Sequence, residues 1–285
     1  MKKTLLHLVK SRSTLEGWDW FEKALQATAA PVDSNVMIGY YTGASRRLGK
    51  QALDLTDAEK ARLDQLHPPL DLTRWATDET GRAVLLLSLT HLPRDDFGRL
   101  VAEIYRQGDS REQQSWLRAL GLLPGCERFL HLAVDACRTN IIHLFESIAC
   151  ENPYPALYFP ELNFNQLVLK SLFNGIAIAR TVDLESRLNP ELSRMADDYV
   201  SEREAAGREV PTDIWLVLAP RIVPAGLHRV HRYLRHENPD HRYWAAVGLG
   251  LSGDPANRGP LQELHDSESD QKTRVAIEAS LARLP

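Results

Sequence analysis

Cysteine is scarce in this 285-residue chain: Cys126, Cys137 and Cys150 are odd in number and form no C-x-x-C pair. They fall on helical patterns as small apolar residues do, which argues against a disulfide framework and makes a reducing cytoplasm the expected compartment. A long apolar run is missing too. The most apolar segment, Ile214 to Leu227, is interrupted by Pro220, Arg221 and Pro224, well short of the roughly 20 residues that cross a bilayer. The opening MKKTLLHLVKSR has Lys2 and Lys3 as a signal peptide would, but His7 and Lys10 break its apolar core, so it reads as a mature amphipathic helix. A net charge of −4 offers no general attraction for nucleic acid or anionic lipid. Phosphate loops, nucleophile arrangements and metal-ligand sets are likewise missing, so no cofactor or metal is implied and no reaction is named.

What is present is helical periodicity. Apolar residues recur at three and four, and no alternating strand or hairpin stands out, so the fold class is all-α. The tail repeats itself: the segment from Asn238 aligns with that from Glu268 at an offset of 30, Ala246 over Ala276 and Leu251 over Leu281. Earlier copies start at Thr77 and Gly108, with Leu86 over Leu117 and Leu89 over Leu120. Their second helices would be Arg94 to Arg106 and Cys126 to Arg138. Helical hairpins that bury their apolar faces by stacking resemble HEAT-like repeats and predict an α-solenoid. Three stretches follow: 1–76, a helical cap with a loop-rich part over Pro31 to Gln51; 77–222, a central repeat region; and 223–285, the C-terminal repeats, all within one continuous solenoid.

The unusual residues cluster in ENPYPALYFPELNFNQLVLKSLFNG, Glu151 to Gly175. Prolines and aromatics stiffen a helix connection there. In the following helix Asn163, Gln166 and Lys170 share one stripe, opposite Leu162, Leu169, Leu172 and Phe173. Asn165 falls among the apolar residues and, if buried, must be hydrogen-bonded; tying the loop to its helix is the economical role. The preceding helix, expected over Arg138 to Cys150, carries a second stripe, Asn140, His143, Ser147 and Glu151. Convergence of the two stripes would place His143, Glu151, Tyr154, Tyr158, Gln166 and Lys170 around a small-molecule pocket. The competing reading is a solvated face beside a rigid loop.

These segments, together with GASRRLGKQALDLTDAE from Gly43 and NPELSRMADDYVSEREAAGREVPTDIWLVLAPRI from Asn189, resemble the EboA family. The resemblance spans Gly43 to Ile222 and rests on NPYP (Asn152 to Pro155), NQ-x-VLK (Asn165 to Lys170) and D-Y-x-x-E-R (Asp198 to Arg203). It implies traffic of a secondary metabolite or its precursor, and structural or motif roles for Asn140, Asn152, Pro153, Pro155, Asn165, Asp198, Tyr199, Glu202 and Arg203. It also implies partners: a metabolite, or proteins encoded alongside, such as a UbiA-like prenyltransferase homologue and TIM-barrel proteins. An enzyme using His143 or Glu151 for acid–base work with Lys170 beside an anion is one alternative, and a pure scaffold is another.

Two further clusters read as surface. The run HRVHRYLRHENPDH, with His228, His231, His236 and His241, lacks a completing carboxylate or cysteine and is flanked by Arg229, Arg232 and Arg235; a basic solvated face is expected. No stacking aromatics accompany it, so nucleic acid is not an expected partner. Asp197, Asp198, Glu202 and Glu204 read as an exposed helix face, with Arg203 as a salt-bridge partner.

Overall fold

Side-chain caps begin many of the helices. Thr14 accepts from the Gly17 amide at 3.1 Å, and Asp109 accepts from the amides of Arg111 and Glu112 while Glu112 answers as its capping-box partner. Each such cap satisfies amides that a helix start leaves without carbonyls. The computed structural model describes residues 1–29, 31–65 and 71–285. Among the described residues there are 17 α-helices and no strand, only an isolated antiparallel bridge between Ala52 and Ala76.

The chain divides into two compact units, Met1–Phe159 and Pro160–Pro285. The first holds α1 (Lys2–Arg12), α2 (Leu15–Gln26), α3 (Ser34–Leu48), α4 (Asp57–Asp64), α5 (Thr77–Ser88), α6 (Arg94–Gln107), α7 (Ser110–Ala119), α8 (Leu130–Ala136), α9 (Ile142–Ala149) and α10 (Tyr154–Tyr158). The expected helices at the aligned segments are there: α5 and α7 start the two copies, and α6 and α8 fall where the second helices belong. The expectation of a loop-rich Pro31 to Gln51 is overturned. Asp33 caps α3, which runs fifteen residues to Leu48 and buries Met37, Tyr41 and Ala44 between its small residues.

Helix α5 is the centre of this unit. All of its residues are buried, and α1, α3 and α7 pack around it. Its second half, Ala83 to Leu87, is apolar, whereas its first turns carry Asp78, Glu79 and Arg82, which burial tolerates only when paired. The Asp78 carboxylate accepts from Ser45 at 2.6 Å, from both Nε and Nη2 of Arg111 at 2.7 and 2.6 Å, and from Arg82 at 3.1 Å. Arg82 also donates to the Tyr41 carbonyl at 2.9 Å, Ser45 at 3.0 Å and Ser115 at 3.2 Å. Burial alone would push the Asp78 carboxyl up, but the hydrogen bonds from Arg111 and Ser45 and the charges of Arg111 and Arg82 outweigh it and hold it low.

The second unit holds α11 (Glu161–Phe173), α12 (Pro190–Ala205), α13 (Trp215–Leu218), α14 (Pro224–Tyr233), α15 (Pro239–Leu251), α16 (Arg258–Ser267) and α17 (Gln271–Arg283). Helices α15 and α17, the 30-residue copies, pack directly on each other. Their contact is close: a Cβ at Gly250 would lie 2.6 Å from the Ser280 Cβ. At the core of the unit, Trp215 donates from its indole to His241 Nδ1 at 3.0 Å, and Tyr233 stacks on His236 at 5.2 Å between ring centroids.

Candidate functional site

The NPYP residues are built into the first unit. Asn152 is buried; its amide donates to the carbonyls of Leu117 and Ser147, both at 2.9 Å, and its oxygen accepts from the Tyr154 amide at 3.0 Å. That uses both amide donors and the oxygen of one side chain to tie α7, α9 and α10 together. Pro153 is half-buried and Pro155 buried, with Pro155 in the first turn of α10, where its missing N–H costs nothing. Tyr154 is fully buried and donates to the Cys126 carbonyl at 3.0 Å. Tyr158, at the surface edge, lies tilted against Tyr154 with 4.8 Å between ring centroids, and the hydrogen bond it donates to the Cys126 sulfur pushes its phenol up to about 12.

The second polar stripe does not form as expected. Helix α9 starts only at Ile142, so Asn140 precedes it; Ser147 is buried and donates to the His143 carbonyl, while His143 itself is exposed. Glu151 lies past the helix end with a φ of 50°, its carboxylate 3.6 Å from Arg74. In the second unit, α11 buries Phe164, Asn165, Leu167, Val168, Ser171 and Leu172. Leu162 and Phe173, expected on that apolar face, are instead 58% and 74% exposed. Gln166 is exposed and Lys170 half-buried. Asn165 is fully buried and hydrogen-bonded, but not to the loop: it exchanges two amide hydrogen bonds with Asn189, of 3.2 and 2.9 Å, and Asn189 caps α12 by accepting from the Leu192 amide at 2.8 Å. The residue therefore sets the start of the next helix.

That helix leads to a cleft of about 420 Å³ lying wholly within the second unit. Two helix ends shape it. Helix α11 closes at Gly175, φ 70°, where the Ile176 amide reaches back to the Ser171 carbonyl; α12 closes at Gly207, φ 62°, where the Arg208 amide reaches the Arg203 carbonyl. Both are left-handed C-caps that a side chain would strain. Its lining includes Phe173 and Ile176, Tyr199 and Arg203, and Asp213 and Trp244. The D-Y-x-x-E-R element thus divides by helical geometry. Tyr199 and Arg203, four apart, face the cleft, while Asp198 pairs with Arg194 at 2.6 Å and Glu202 is exposed.

Arg203 is held by its neighbours. Its Nε donates to the Glu209 carbonyl at 2.7 Å, and its guanidinium lies 5.9 Å from the centre of the Tyr199 ring. The expected salt bridge to Asp198 or Glu202 is not the one made. Asp213 is buried, and its Oδ2 accepts from the Ile178 amide at 2.7 Å. Burial pushes its carboxyl up, partly offset by that hydrogen bond. Asp213 and Trp244 were not singled out from the sequence, and Phe173 was expected only on the apolar face of its helix. Tyr199 and Arg203 carried a usable pattern, the spacing of four, whereas nothing local marks Trp244 on α15.

The basic run also departs from expectation. His241 is buried within the Trp215–Tyr233–His236 ring cluster, not solvated. Arg229 pairs with Asp197 and donates to Ser201 at 2.9 Å, and Arg232 pairs with Glu204 at 2.5 Å. The acidic face of α12 and the basic face of α14 therefore neutralise each other.

Fold and cleft together define an all-helical protein with an open, aromatic-lined cleft holding an oriented arginine. The family model described as metabolite traffic protein EboA matches residues 1–219, and the chain belongs to that family. No curated protein and no solved structure matches it. Among the described residues, no helix is long and apolar enough to cross a membrane.

Proposed function

We propose that this protein supports traffic of a secondary metabolite or its precursor, without transforming it, by holding the molecule in the cleft of the second unit. The observation that carries this reading is the placement of Tyr199 and Arg203, from the D-Y-x-x-E-R element on which the resemblance rests, on a cavity whose volume falls in the range of small-molecule sites. Repeated helical hairpins stacked as a HEAT-like solenoid would present that cleft to a cytoplasmic partner, such as the UbiA-like prenyltransferase homologue or a TIM-barrel protein encoded alongside. His143 and Tyr158, exposed in the first unit, and Gln166, exposed in the second, are further positions that a partner would meet, whereas Tyr154 is fully buried.

Full-length protein purified from its native cells, denatured and extracted, should release a small molecule visible by mass spectrometry. The same molecule should raise the melting temperature of stripped protein and be recovered unchanged after incubation. Recovery of a transformed product would replace the carrier reading with an enzyme, and co-purification of a cluster protein with no small molecule would replace it with a scaffold.

A further inference from the structure

Resting on that reading of the cleft, we propose that its ligand is an anion carried on a flat, ring-bearing body, the oxyanion taken by Arg203 and the ring by Tyr199, Phe173 and Trp244. A guanidinium has five N–H donors. At Arg203 the Glu209 carbonyl occupies Nε and the Tyr199 ring centre lies 5.9 Å from the guanidinium, while no carboxylate among the described residues pairs with the group. Elsewhere in this unit, arginines of the same two-helix neighbourhood are matched: Arg194 with Glu191 and Asp198, Arg229 with Asp197, and Arg232 with Glu204. An arginine fixed in direction and left with its terminal nitrogens unmatched suits bidentate recognition of a carboxylate or phosphate.

The rest of the cleft fits the apolar part. Phe173 is 74% exposed at the end of a helix whose other large residues mostly turn inward, and Trp244 and Tyr199 are half-buried in the lining. A ring lying across them would cover apolar surface that water now meets. Two carboxyls also border the space. Glu209 is exposed, while Asp213 is buried and already accepts from the Ile178 amide, so Asp213 is committed to holding the wall rather than to a cation.

The test compares three probes with one ring system, naphthylacetate, naphthyl phosphate and naphthylmethylamine, by saturation-transfer NMR on the full chain. Naphthylacetate or naphthyl phosphate should bind about tenfold more tightly than the amine, and whichever is preferred states whether the anion is a carboxylate or a phosphate. Arg203→Ala should erase that difference, and Arg208→Ala, an exposed neighbour outside the lining, should leave it intact. Ala177→Trp, which adds bulk at an exposed lining position and leaves Arg203 unsubstituted, should weaken all three. Equal or tighter binding of the amine, or no saturable binding of either anion at tens of millimolar, would overturn the anion assignment. Loss of binding in Ala177→Trp but not in Arg203→Ala would retire the anion and keep the cleft; indifference to both substitutions would retire the cleft itself.

Discussion

At the scale of single residues, the side chains with most at stake are polar and buried. Asp78 and Arg82 are 0% and 1% exposed, and removing one partner strands the other's charge where water cannot reach it. Asp78→Ala should therefore destabilise the protein by about 3–5 kcal/mol, read as a lower urea midpoint; Arg99→Ala, an exposed pair member, should shift it by less than about 1 kcal/mol. His241 adds a pH dependence. Burial, then the neighbouring His236 charge, lowers it from 6.5 to about 4, with Asp240 opposing weakly. Its folded value lies below its unfolded one, so the unfolded chain takes up the proton first as pH falls. Stability from this group is complete above about 6.5 and declines toward pH 4, with a loss on the order of 2 kcal/mol. His241→Phe should flatten the thermal-denaturation profile across that window.

At the scale of elements, the asparagines join helices that apolar periodicity cannot. Asn152 serves three backbone groups from α7, α9 and α10, so Asn152→Ala should cost about 1–3 kcal/mol and accelerate amide exchange at Tyr154 in particular. The helices themselves were legible because apolar spacing and caps agree: the aligned segments from Thr77, Gly108, Asn238 and Glu268 each begin a helix at the expected place. Two elements misled for definite reasons. Gly39, Gly43 and the serines of α3 have the composition of a loop, yet Gly43 lets α3 lie close to Trp20 and Ser45 donates to Asp78. In α11, Leu162 and Phe173 looked like core, but helix ends need not follow the stripe of the middle turns.

At the scale of the whole molecule, the cleft was not legible as a site: His143, Glu151, Tyr154, Tyr158, Gln166 and Lys170, expected around a ligand, are not in its lining. Tyr199 and Arg203 were marked only through the D-Y-x-x-E-R resemblance, while Trp244 and Asp213 come from other segments, and only folding of the second unit brings them to the same cleft. The family match ends at residue 219, before α15 supplies Trp244 and before His241 receives the Trp215 indole hydrogen bond. A chain ending at Ala219 should thus lose the seat of Trp215, show rapid proteolysis within Pro160–Ala219, and fail to bind any cleft ligand; limited proteolysis followed by mass spectrometry reads this directly.

The buried network around α5 also bears on how the first unit comes together. Arg82 carries a guanidinium into the interior, so water can leave this helix only after replacements for it are already in position. Ser45 and the Tyr41 carbonyl come from α3, whereas Ser115 and Arg111 come from α7. Helix α5 thereby acts as a checkpoint for assembly: a chain with α3 or α7 out of register would trap an unpaired charge, and that misregistered form is penalised before it can become compact.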